Sequence, residues 1–226
     1  MTLPNEEVFE LLRDHFVLGA RNIEKDEHVG LSHGYKCTQS AVGTTNGAGA
    51  RNVQLLMLAA DGTVLHALPG YWHPDDLKRE LKFALRLHLL NDRQDLSAAQ
   101  KSKMLATMHR AFLRNLPAET LARSRWQGFD EQAERMRLAD GKRDTFVYEY
   151  GDKTTIKPTV QVVHERLMSR PFQKLADFDM ESFVDYGRAF YDNNRGDKGR
   201  DFKKAELANK KRVKEQEKAA RAEARS

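Results

Sequence analysis

An apolar hairpin pattern followed by a helical pattern constrains the fold of this chain more than any other feature. Residues 52–59 and 63–68 are apolar runs, and the Asp61-Gly62 pair between them is a strong two-residue turn signal, so they predict an antiparallel hairpin. Residues 73–76 then offer an N-cap, a first-turn proline and two acidic residues, and apolar residues recur at helical spacing as far as Leu90. A hairpin followed by a long helix predicts a mixed α/β architecture.

The rest of the chain supplies weaker signals, helical more often than extended. Proline and acidic residues before a periodic run predict a first helix ending near Asp14, and the apolar run after it predicts a buried strand at 16–20. A polar, glycine-rich stretch at 24–49 predicts a long loop. Later predictions are helices at 97–115, 117–126 and 159–168, an isolated strand at 146–150, and an aromatic-rich helix with Asp179 as its N-cap.

Composition divides the chain into three predicted regions. Residues 1–92 carry the α/β pattern, 93–194 form a mainly helical extension whose aromatic residues need the first region to pack on, and 195–226 form a charged tail. The tail has 12 Lys and Arg against six Asp and Glu, whereas 26 basic and 27 acidic residues precede it. The net charge of +5 therefore lies in the tail and indicates no basic face on the remainder.

Several classes of protein are excluded by the sequence. The longest apolar run is far shorter than the roughly 20 residues that a membrane-spanning helix needs. One cysteine forms no internal disulfide, and the eight histidines are too scattered to show zinc-ligand spacing. We therefore predict no metal site and no cofactor. The acidic N-terminus is unlike a signal peptide, which predicts a cytoplasmic protein, or an exported one if the true start lies upstream.

The order of these patterns resembles the thioredoxin family. Residues 5–17 resemble the helix and central strand that follow the family's redox motif, and 52–71 resemble its closing hairpin with the glycine, followed by the terminal helix. The resemblance covers about two fifths of the chain. It implies an α/β, thioredoxin-like fold with a mainly helical C-terminal extension, in which the family's first strand has no counterpart in the sequence as given.

Two departures from the family determine what the resemblance implies for function. The chain lacks the Cys-x-x-Cys pair that the family places at the start of its first helix, and the stretch before Asn52 lacks the family's cis-proline. The leading hypothesis is therefore a redox-inactive thioredoxin-like protein that acts as a binding or structural module for a protein partner. The alternatives are a thiol-disulfide oxidoreductase whose Cys-x-x-Cys lies upstream of the given start, and a nucleic-acid-associated protein that uses the tail at 195–226.

Few residues qualify as candidate sites. Cys37 has Lys36 beside it, which would favour a reactive thiolate, but a lone loop cysteine without a resolving partner is more often incidental. The thioredoxin resemblance places Arg51 and Asn52 at the substrate groove. Tyr71 and Trp72 follow the hairpin and complete the predicted binding set, although a tryptophan before a helix usually packs on the core.

Overall fold

A computed structural model describes residues 2–21, 45–47, 54–125, 138–139, 141, 147–150, 153–179 and 183. Within these ranges the chain forms helices and two antiparallel two-stranded sheets. No helix in this part of the chain is both long and apolar enough to cross a membrane. The elements are α1 (Glu6–His15), β1 (Gln54–Leu58), β2 (Val64–Pro69), α2 (Pro74–Asn91), α3 (Ala98–Arg114), α4 (Ala118–Arg123), β3 (Val147–Tyr150), β4 (Lys153–Ile156) and α5 (Thr159–Met168).

The predicted hairpin forms as β1 and β2. Its turn uses Gly62 at a φ of +80°, a conformation that favours glycine, and the carboxylate of Asp61 accepts a hydrogen bond from the Thr63 amide at 3.0 Å. Every residue of β2 is buried, so both faces of this strand are covered. The strand therefore lies at the centre of the described structure and can position side chains deep in the core.

Helix α2 begins where the sequence predicts. The ring of His73 caps it by accepting from the Asp75 amide, Pro74 follows, and the helix continues to Asn91. Its buried face is mostly leucine and phenylalanine but includes two carboxylates, Asp76 and Glu80, one turn apart and each about 1% exposed. Two buried carboxylates on an otherwise apolar face are the least expected feature of this helix.

The hydrophobic core crosses the predicted boundary between residues 92 and 93. Leu167 of α5 lies in the same buried cluster as Leu68 of β2 and Leu81 of α2, and Leu105 of α3 lies in a second cluster with Leu65 and Phe83. Helices α3 and α5 also pack against each other, and α5 contacts β2. The helices that follow residue 92 therefore complete the core around the hairpin.

The structure corrects two of the predicted elements. Residues 16–20 are not a strand: Val17 is fully exposed, and no strand in the described ranges pairs with this run. The predicted strand at 146–150 is not isolated, because Val147–Tyr150 pairs with Lys153–Ile156 in an antiparallel hairpin. Most of the helix predicted after Asp179, and the long loop at 24–49 except residues 45–47, lie outside the described residues.

A candidate metal centre

Four polar side chains from four elements meet in the core beside β2. His66 comes from β2, Glu80 from α2, His109 from α3 and His164 from α5. Each of them is at most about 1% exposed. Histidine and glutamate are seldom buried to this degree without partners, so the group requires a physical explanation.

Local sequence places three of these side chains on the buried faces of their elements. His66 lies within the fully buried strand β2 and shares a face with Val64 and Leu68. Glu80 lies on the buried face of α2, beside Leu81. His164 follows Val162 and Val163, all three of which are buried in α5.

The carboxylate of Glu80 is the centre of the group. Its Oε2 lies 2.7 Å from Nε2 of His66 and 3.2 Å from Nε2 of His164. An ionised carboxylate only accepts hydrogen bonds, so the Nε2–H of each imidazole donates to it. On its other side, Nδ1 of His164 lies 2.8 Å from Nδ1 of His109, which makes His109 a support behind His164.

Two ring nitrogens of the group have no hydrogen-bond partner among the described residues. They are Nδ1 of His66 and Nε2 of His109, and both are buried. A buried polar atom without a partner costs about 1–3 kcal/mol. The group therefore carries a stability cost that a purely apolar core would avoid, which favours a role beyond packing.

The electrostatics of the group keep Glu80 charged. Burial acts to raise the pKa of Glu80, but the electrostatic interaction with His164 and the hydrogen bonds from His164 and His66 outweigh it and lower the pKa to about 2. Burial lowers the pKa of His66 despite its bond to Glu80, and burial and the neighbouring histidines lower that of His109 far below its ordinary value. His66, one of the candidate ligands, is therefore neutral near pH 7, and neutral imidazole is the form that binds metal ions.

Aromatic rings enclose the imidazoles. The Phe112 ring stacks on His164 with centroids 4.5 Å apart and an interplanar angle of 16°. The Phe83 ring lies edge-on to His109 at 4.9 Å and to His66 at 5.6 Å. Because these rings cover the group, water has little access, and electrostatic interactions within the group are stronger than they would be in solvent.

The donor set fits a divalent transition-metal ion. One nitrogen each from His66 and His164 and one oxygen from Glu80 all lie within 4.8 Å of one another. Two histidines and one carboxylate bind Zn²⁺ in some enzymes and Fe²⁺ in others. Adjacent ligands around such an ion are roughly 3 Å apart at the bond lengths that zinc uses, which is close to the 3.2 Å between His164 and Glu80. His109 takes the position of the outer residue that orients a ligating histidine.

The second buried carboxylate of α2, Asp76, is fully paired. Arg123 holds it with two hydrogen bonds of 2.7 and 2.8 Å, Thr120 donates to it at 2.7 Å, and the amide of Asn46 donates at 2.8 Å. These donors lower its pKa although burial acts to raise it. Asp76 therefore ties residues 45–47 and α4 to α2, and we assign it a structural role.

The residues predicted as sites from the sequence are not part of this group. Cys37, Arg51 and Asn52 lie outside the described residues. Tyr71 is half-buried, and the indole of Trp72, 1% exposed, donates to the Pro69 carbonyl at 2.8 Å. Trp72 is thus a core residue, as the alternative interpretation of that position predicts, and its ring is not on a binding surface.

Sequence reasoning missed the histidine–glutamate group because its members are spread over residues 66–164. The one local signal is a charged residue within the apolar face of α2, at Glu80.

Comparison with protein-family models, with curated proteins and with solved structures finds no match to this chain.

Proposed function

We propose that the protein binds one divalent transition-metal ion of the Zn²⁺ or Fe²⁺ type through His66, Glu80 and His164. The observation that carries the proposal is the convergence of two imidazole nitrogens and a carboxylate oxygen from three elements within 4.8 Å, all of them buried. His109 supports His164 from the opposite ring nitrogen at 2.8 Å.

All three donors are buried, as in a structural site, and their number leaves one position of a four-coordinate ion unfilled. Catalytic sites keep a position open to water or substrate, whereas structural sites are closed and contribute to folding. The three ligands belong to β2, α2 and α5, so one ion would join the hairpin to two of the helices packed against it. Metal binding would then stabilise the native state, by about 2.7 kcal/mol at a free-metal concentration 100 times the dissociation constant.

The test uses the full chain, stripped of metal with a chelator and titrated with Co²⁺, Zn²⁺ or Fe²⁺. We expect one ion per chain, visible absorption bands from bound Co²⁺, and a higher melting temperature with metal. The Glu80→Gln variant, which keeps a side chain of the same shape, should no longer bind one metal ion per chain. Glu119→Gln removes an exposed carboxylate of α4 and should bind as the wild type does.

A second pair of variants tests the histidine ligands. His164→Asn should abolish equimolar binding, and His15→Asn, at an exposed position of α1, should retain it. Circular dichroism of all four variants in chelator separates loss of metal from loss of fold. Wild-type protein that folds but takes up no ion and gains no thermal stability with metal would contradict the proposal, and the group would then be a hydrogen-bonded core network.

The sequence supports a second proposal, that of a redox-inactive thioredoxin-like module that binds a protein partner. Its support is the order hairpin, glycine and long helix at 54–91 together with the absence of a Cys-x-x-Cys pair from this sequence. The two proposals are compatible, because His66 and Glu80 lie on that hairpin and helix. We expect that the protein does not catalyse the reduction of a disulfide substrate by dithiothreitol. A thioredoxin serves as the positive control.

A further inference from the structure

A cleft of about 590 Å³ lies between α2 and α3, on the outer side of the aromatic rings that cover the histidine–glutamate group. This volume is in the range of small-molecule sites. Phe83 and Phe112 belong both to the cleft and to the covering of the imidazoles. These two side chains therefore contact both the cleft and the candidate metal centre.

One wall of the cleft is cationic. Arg79, Lys82 and Arg86 follow one another at i, i+3 and i+7 on α2, all exposed, and span about 10 Å along the helix. No carboxylate lines this cleft, and none of the three cations forms an ion pair within the described ranges. Lys78 on the same helix differs, because it pairs with Glu7 and Asp75.

The floor of the cleft is apolar. Besides the two phenylalanines it is formed by Met108, Ala111 and Leu116. The Arg86 guanidinium lies over the Phe83 ring at 5.6 Å from the centroid, so a cation already touches the apolar floor. A ligand that pairs with the cationic wall and packs on the apolar floor needs an apolar body and a negatively charged group at one edge.

We propose that this cleft binds a small phosphorylated amphiphile, with its phosphate on Arg79, Lys82 and Arg86 and its apolar body on the phenylalanines. Three cations within about 10 Å match a group with more than one negative charge and several acceptor oxygens. Arginine in particular presents a planar fork of donors that fits phosphate. The inference does not depend on the proposed metal ion, because no cleft cation is a proposed metal ligand.

The test is isothermal titration calorimetry of the full chain with octyl phosphate, kept monomeric, at low ionic strength. Inorganic phosphate and octanol are the two partial ligands. We expect one octyl phosphate per chain, bound at least tenfold more tightly than either partial ligand. The triple variant Arg79→Gln, Lys82→Gln, Arg86→Gln should weaken octyl phosphate binding at least tenfold.

A matched control removes the same charge from another face. Lys103, Arg110 and Arg114 are exposed on α3 and do not line the cleft, and changing all three to Gln should leave the affinity within twofold of wild type. Circular dichroism verifies that both triple variants fold.

Three outcomes would overturn the proposal: equal weakening of octyl phosphate binding in the two variants, octanol binding as tightly as octyl phosphate, or no octyl phosphate binding at all. Binding to anionic vesicles without binding of monomeric octyl phosphate would also overturn it and replace the cleft with a membrane-facing surface. Metal uptake is measured separately, so failure of this proposal and failure of the metal site are distinguishable.

Discussion

At the scale of single residues, α2 buries two carboxylates one turn apart that differ in how completely they are satisfied. Asp76 receives hydrogen bonds from Arg123, Thr120 and Asn46. Glu80 receives them only from His66 and His164, and Nδ1 of His66 lacks a partner in the described structure. This difference is why we assign Asp76 to structure and Glu80 to metal binding.

The Asp76 pair gives the first prediction. Asp76→Asn should destabilise the fold by about 1–3 kcal/mol, because it weakens the charge-assisted hydrogen bonds that the buried carboxylate accepts from the partly exposed Arg123. Asp75→Asn, at the exposed neighbouring position, should cost less than about 0.5 kcal/mol. Urea denaturation at pH 7 measures both free energies of unfolding. Equal effects of the two changes would show that the buried pair contributes nothing specific.

The same pair predicts a pH dependence. The pKa of Asp76 is lowered in the folded protein, so between its folded and unfolded pKa values the unfolded chain binds more protons. Its contribution to stability is present above the unfolded pKa of about 4 and is lost as pH falls through the folded pKa. The stability difference between wild type and Asp76→Asn should therefore shrink as pH falls below about 4. Urea midpoints over that range test this, and a difference that stays constant would contradict it.

His109 gives a third prediction at the residue scale. His109→Leu removes the support behind His164 without removing a proposed ligand, and we expect it to lower metal affinity about 10- to 100-fold while leaving one ion per chain. Competition with a chromogenic chelator measures the affinity. Complete loss of binding would make His109 a ligand, and unchanged affinity would remove it from the site.

At the scale of elements, helix ends are where local sequence and structure agree best. Helix α3 begins with a capping box in which the Ser97 hydroxyl accepts from the Gln100 amide while the Gln100 side chain accepts from the Ser97 amide. Helix α2 likewise begins at the predicted proline. Caps are local interactions, so a short stretch of sequence suffices to predict them.

The capping box is testable. Ser97→Ala should destabilise the protein by about 1 kcal/mol, because it leaves an amide of the first turn without its acceptor. Ser102→Ala, within the same helix, should be neutral or slightly stabilising, since alanine has the higher helix propensity. Thermal and urea denaturation measure both changes. If Ser102→Ala lowered the free energy of unfolding as much as Ser97→Ala does, the assignment of Ser97 as the cap would be contradicted.

The strand predicted at 16–20 shows where element prediction fails. An apolar run has the composition of a buried strand, but a strand forms only where a neighbour pairs its backbone. Within the described residues no such neighbour lies beside it, and Val17 and Leu18 are exposed. The strand at β3 was predicted, but its partner β4, at residues 153–156, was not.

At the scale of the whole molecule, the shared core predicts one cooperative unit. Leu167 of α5 is 3% exposed and lies in the cluster that includes Leu68 and Leu81, so Leu167→Ala should cost about 2–5 kcal/mol. Leu121→Ala, 39% exposed on α4, should cost much less. In a Trp126→Phe background, the near-ultraviolet signal of Trp72 and the far-ultraviolet helical signal should change in a single shared transition. Separate transitions would show that the hairpin and the later helices unfold independently.

The sequence by itself determined the hairpin, the caps and the long helices, because turn signals, capping residues and apolar spacing act over a few neighbouring positions. It predicted no metal site and gave no sign of the histidine–glutamate group. His66, Glu80, His109 and His164 carry no spacing signature, and they become neighbours only when α3 and α5 pack around β2 and α2. The tertiary structure alone decided which of eight histidines meet a buried carboxylate, because that depends on long-range packing rather than on local propensity.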